Sequence, residues 1–183
     1  MDRQQALGIL CENISDKNTR KHCIAVAAIM EALAGKLEGD KETWWLTGIL
    51  HDIDYEKTAG DMKQHGLETA KILEGKVGEE IIYAIKAHNG INTGVGANSR
   101  MDIALIAGDA LSGLVISTAL IMPSKKLSEV AVESLVKKFK KKDFARAVSR
   151  EKIMTCQRLN LTQEEFFGIG LEALKGVAGE LGL

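Results

Sequence analysis

The sequence predicts an all-α fold, a single-domain helical bundle over residues 1–183. Three observations predict it. Apolar residues recur at helical rather than alternating spacing through most of the chain. There is one proline and only 4% aromatic residues. Several periodic stretches open on Ser or Asp and run out before Gly, as capped helices do. The length suits one domain of about 100–200 residues. With 45% hydrophobic and 27% charged residues, the composition is that of a globular protein rather than a disordered one. No repeat, low-complexity tract or linker divides it.

In order, a first helix is expected over about Arg3–Glu12. A second is capped by Ser15 or Asp16 and runs to about Leu37, with His22, Val26, Ile29 and Leu33 on its inner stripe. A third opens near Asp40 and aligns Trp45, Ile49 and Asp52. The next begins near Gln64-His65 and ends at Gly75, placing His65 in a first turn whose dipole lowers the imidazole pKa. A fifth, about Gly78–Asn89, aligns Ile81, Ile85 and His88. The loop GINTGVGANS matches no phosphate-binding pattern and reads as a connector or as a flexible rim over a pocket. The sixth, Met101 to about Ile121, carries Asp109 inside an apolar run. That run is long enough to span a bilayer, but Gly108, Asp109, Ser112, Gly113 and Ser117 interrupt it, so it reads as a buried core helix. Pro123 ends it, and helices over about Lys126–Lys140, Asp143–Leu159 and Thr162–Leu181 complete the chain.

Cys11, Cys23 and Cys156 are odd in number and widely spaced, which excludes a disulfide scaffold or a cysteine zinc site and fits a reducing cytoplasm. The amino terminus lacks the basic and apolar regions of a secretory signal. Net charge is −1, but Ser124–Lys152 holds ten Lys/Arg against four Asp/Glu, leaving about −7 on the remainder. That basic segment can contact phosphate groups; its plainer reading is a solvated helix face.

All four histidines, His22, His51, His65 and His88, lie in the first half of the chain. At least three of the four, with Asp52 and Asp109, fall on inner helix stripes or at helix ends, where unpaired polar groups destabilise a fold. One metal centre would satisfy them together. Nitrogen and oxygen donors without thiolates suit iron, manganese, cobalt or zinc better than calcium or magnesium.

The order His22, His51-Asp52, Asp109 over successive helices resembles the HD-domain superfamily of metal-dependent phosphohydrolases. Within about residues 18–115, TRKHCIAVAAIMEALA, GILHDIDYE, AIKAHNG and IAGDALSGL are similar to a bacterial subgroup of predicted HD hydrolases. The resemblance implies a bundle of the HD-domain type, with its metal-binding core in 18–115 and the helices of about 124–183 packed on it. It implies one metal on His22, His51, Asp52 and Asp109, and a second on His65 and His88 with Asp52 bridging. The chain has HDIDYEK in place of the HDxGK continuation, and no GYP signature, so the cyclic-dinucleotide specificity of some relatives does not carry over.

The expected activity is hydrolysis of a small phosphate ester, nucleotide or phosphoanhydride by water activated on one or two divalent transition metals. Asp52, Asp54 and Glu56 are the candidate catalytic acids, the last two to orient that water. Asn89 and Ser112 are candidates to face the substrate, and Lys125, Lys126 and Arg150 to contact its phosphate. Two other readings use the same residues. One is a mixed-valent di-iron oxygenase; the other is a non-catalytic nucleotide- or nucleic-acid-binding module with a structural metal. The expected partner is a small phosphorylated molecule; a membrane or nucleic acid is not expected, and homo-oligomers are left open.

Overall fold

The computed structural model describes residues 1–183, and every regular element in it is a helix. The first half holds α1 (Arg3–Asn13), α2 (Lys17–Lys36), α3 (Lys41–Leu50), α4 (Tyr55–Thr58), α5 (Leu67–Leu73), α6 (Glu79–His88) and α7 (Gly90–Thr93). The long α8 (Arg100–Leu120) follows, then α9 (Val132–Phe139), α10 (Arg150–Met154), α11 (Gln163–Gly176) and α12 (Ala178–Leu181). Starts are set by side chains that satisfy otherwise orphaned amides. Asp16 accepts from the Thr19 amide, Asp40 from that of Thr43, and Ser99 forms a reciprocal box with Asp102. Each such cap stabilises its helix by about 1 kcal/mol.

Helix α2 is buried on two sides. Val26, Ile29 and Leu33 join a 30-residue cluster with α8 and with Phe166, Phe167, Leu171 and Leu174 of α11. Cys23 and Ala27 join a 13-residue cluster with Leu10 of α1, Ile49 and Leu50 of α3, and Ile81 and Ile85 of α6. Helix α8 is long and apolar enough to cross a membrane, but 67% of its most apolar stretch is buried against the surrounding helices.

The crossing of α3 over α2 is close enough to demand glycine. A Cβ on Gly48 would lie 2.6 Å from Cα of Ala27. This contact seats the end of α3, and with it His51-Asp52, against the His22 half of α2.

Several expected boundaries differ. Helix α3 stops at Leu50, so His51 and Asp52 occupy the turn after it; Trp44 is the buried tryptophan, while Trp45 lies half-buried beneath the Arg3 guanidinium. Residues 126–140 are not one helix but a 3-10 turn at Leu127–Glu129, an extended step and then α9. Val130 and Val132, which would stand about 200° apart on a continuous helix, both turn inward because of that step. Residues 143–149 form a looped segment rather than helix.

Candidate metal centre

Six side chains from five parts of the chain converge. His22 comes from the second turn of α2, His51 and Asp52 from the turn after α3, His65 from the turn before α5, His88 from the last residue of α6, and Asp109 from the middle of α8. His51 is fully buried, and Asp52, His65 and His88 nearly so.

Each imidazole has its Nδ1 committed to an acceptor. His51 Nδ1–H donates to the Gly48 carbonyl at 2.8 Å, His65 to Asp54 Oδ1 at 2.8 Å, and His88 to the Ile85 carbonyl. For His22 the acceptor is Ser112 Oγ at 3.1 Å; the Ser112 hydroxyl spends its own proton on the Asp109 carbonyl, so the ring must donate. Four Nε2 atoms are therefore turned inward, the arrangement that second partners impose on metal-ligating histidines.

They meet carboxylates. Asp52 Oδ1 is 3.2 Å from His51 Nε2, 3.2 Å from His65 Nε2 and 3.4 Å from His88 Nε2. His22 Nε2 stands 3.2 Å from Asp109 Oδ1 and 3.6 Å from Asp52 Oδ2. Two donor groups result, His22/His51/Asp52 and Asp52/His65/His88, and Asp52 belongs to both. His51 Nε2 is buried with no hydrogen-bond partner. An orphaned buried nitrogen, four inward-facing Nε2 atoms and two carboxylates fit transition-metal ions, and the residues present supply nitrogen and oxygen donors only. Cys23, next to His22, is no thiolate candidate, since burial and the nearby carboxylates push its thiol well above 9.0.

The electrostatics follow. Burial lowers His51 to about 4. Burial also acts to lower His65, but the Asp52 and Asp54 carboxylates override it and hold the ring at about 9. This reverses the lowering expected from a helix dipole, because α5 starts two residues later and Gly66, at φ +84°, separates His65 from it. Burial opposes ionisation of Asp109, yet His22 brings it down to about 2.

The centre forms one wall of an open cleft of about 530 Å³. Several candidates from the sequence lie elsewhere or are already engaged. Asp54 accepts from His65 and from the amides of Gly66 and Thr69, so its carboxylate is engaged in holding the His65 ring. Glu56 turns away to accept from the Ser15 amide and hydroxyl and the Asp16 amide, steadying the start of α2. Ser112 serves His22. Asn89 borders the cleft, but its amide nitrogen donates to the Met62 and His65 carbonyls. Lys125 and Lys126 are exposed beyond the end of α8, outside the cleft. Arg150 donates to the carbonyls of Phe139, Lys141, Phe144, Ala145 and Val148, which fastens the 140–149 loop and leaves no free edge for a phosphate.

Other lining residues were not singled out from the sequence: Asn18, Thr19, Tyr55, Met62, Ala147 and Lys152. Tyr55 packs edge-on against His65 at 5.7 Å between ring centres. Only their proximity to ligands along the chain, as for Tyr55, hinted at them.

Comparison with protein families matches residues 19–104 to the HD domain. These residues form an HD domain. Five of the six converging side chains lie within the match; Asp109 lies just past its end. No curated protein and no solved structure matches the chain. An all-α fold and a His/Asp cluster able to hold metal ions are both consistent with the HD family.

Proposed function

We propose that this HD-domain chain is a metal-dependent phosphohydrolase acting on a small phosphate ester, nucleotide or phosphoanhydride. The observation that carries the reading is the set of four inward-facing Nε2 atoms around Asp52, all fixed in one tautomer by partners on their far sides. His22, His51, Asp52 and Asp109 would hold one ion, and His65, His88 and Asp52 a second. Such ions, when bound, polarise phosphoryl oxygens and lower the pKa of water toward about 7.

The chain's own contribution is orientation and charge. Asp54 and Ser112 hold His65 and His22 against rotation, and the Gly48 and Ile85 carbonyls do the same for His51 and His88. Asp52 supplies one carboxylate to both donor groups. With Asp54 and Glu56 occupied, no carboxylate outside the donor set borders the cleft.

The test is a screen of nucleotides, dinucleoside polyphosphates and simple phosphate esters with manganese- or cobalt-loaded protein, under anaerobic conditions. Phosphate release that Asp52→Ala abolishes is expected. Turnover that requires iron and consumes oxygen, with no phosphate release, would replace this reading with an oxygenase.

A further inference from the structure

We propose that Lys152 is the substrate-binding cation of the centre, holding the phosphoryl group in the cleft that the metal-binding residues line. The inference rests on the hydrolase reading and adds a residue that the HD segment does not contain, since Lys152 comes from α10.

Among the residues that line the cleft, Lys152 is the one lysine or arginine. Its Nζ lies 3.4 Å from the His88 carbonyl oxygen and 4.0 Å from Asp109 Oδ2, so it stands beside the centre. Both distances exceed the usual range of about 2.7–3.2 Å. The ammonium therefore keeps donor capacity to spare, and its side chain is 43% exposed.

Its base is rigid. The Lys152 amide donates to the Ser149 hydroxyl that caps α10, and the next residue, Ile153, is fully buried in the larger core cluster. The preceding loop is fastened by Arg150. A flexible stem on a fixed anchor can shift by an ångström or two to meet a ligand without moving backbone.

Charge makes the placement informative. Two divalent ions would outweigh the carboxylates of Asp52 and Asp109, and an ammonium this close would then meet like charge. That repulsion turns to attraction once a phosphate dianion lies between them. The position suits a group that engages substrate, and Lys125, Lys126 and Arg150 do not offer one.

The experiment measures orthophosphate binding by calorimetry to the metal-loaded full chain at low ionic strength, for wild type, Lys152→Met and Lys152→Arg, with metal content determined on the same samples. Lys152→Met should weaken phosphate binding at least about tenfold while its metal content is unchanged, and Lys152→Arg should recover most of the loss. Unchanged phosphate binding in Lys152→Met overturns the inference and leaves the hydrolase reading standing. Loss of metal from both variants also overturns it, making Lys152 a structural partner of Asp109. If loaded wild type binds no phosphate, the inference fails, and the ester screen decides the function separately.

Discussion

His65 and His88 bring their Nε2 atoms to 3.0 Å from each other, although the Nδ1 of each ring already donates elsewhere. Two lone pairs at that distance repel unless a cation lies between or beside them. A proton on one ring relieves the repulsion, and a metal ion held with Asp52 relieves it more completely. His65→Ala or His88→Ala should therefore remove one ion and leave the other on His22, His51, Asp52 and Asp109. Elemental analysis of each variant checks this; loss of both ions from His88→Ala would mean the two donor groups do not act separately.

The support behind His65 is as testable as His65 itself. Asp54→Asn keeps the shape but removes the charge that fixes the ring, and it places an amide where two backbone N–H groups now donate. Affinity at the His65/His88 group should fall about 10–100-fold, with the other group little changed. Calorimetric metal titration resolves the two steps, and an unaltered second step would assign Asp54 a purely structural role.

Protonation sets a pH signature for metal-stripped protein. His65 is raised from 6.5 to about 9, so its contribution to stability is fully present below pH 6.5 and is lost as pH rises through 9. His22 is raised in the same sense, with Asp109 overcoming the effect of burial. His51 is neutral in both folded and unfolded states across most of that window and does not offset the loss. Thermal stability of stripped protein should fall between pH 6.5 and 9, while loaded protein, whose rings carry no such proton, should hold level. Parallel profiles would contradict the pairing of His65 with Asp52 and Asp54.

At the α2–α3 crossing, Gly48→Ala forces backbone apart, since the added Cβ would sit 2.6 Å from Cα of Ala27. A loss of about 1–3 kcal/mol is expected, with reduced metal content because His51 and His22 separate. Denaturant titration with metal analysis reads both; a wild-type midpoint would show that the crossing relaxes freely.

Arg150→Gln should unfasten the 140–149 loop. The expected outcome is faster amide exchange over 141–148 and a stability loss of about 2 kcal/mol, with both metals retained. Loss of metal instead would tie Arg150 to the centre.

The helical fold and the converging residues were legible because periodicity and caps are local. Val26, Ile29 and Leu33 share a stripe with His22, and Ile81 and Ile85 share one with His88, so the sequence itself points those rings inward. The roles of Asp54, Glu56 and Arg150 were not legible, since a charged residue's partner depends on tertiary approach. Glu56 finds the start of α2 some forty residues upstream, and Arg150 finds carbonyls freed where Ala145, at φ 45°, breaks the helical ladder. Lys152 was passed over for the same reason: nothing in a run of basic residues tells which one reaches the cleft. The close α2–α3 crossing at Gly48 was likewise not legible, because no local pattern announces it.

The shared carboxylate is tested most directly by counting metal ions in fully loaded wild-type and Asp52→Ala protein after desalting. Two ions per chain are predicted for wild type and none for Asp52→Ala, because Asp52 approaches His22, His51, His65 and His88 alike. Two ions retained by Asp52→Ala, or fewer than about 0.2 equivalents in wild type, would contradict the account.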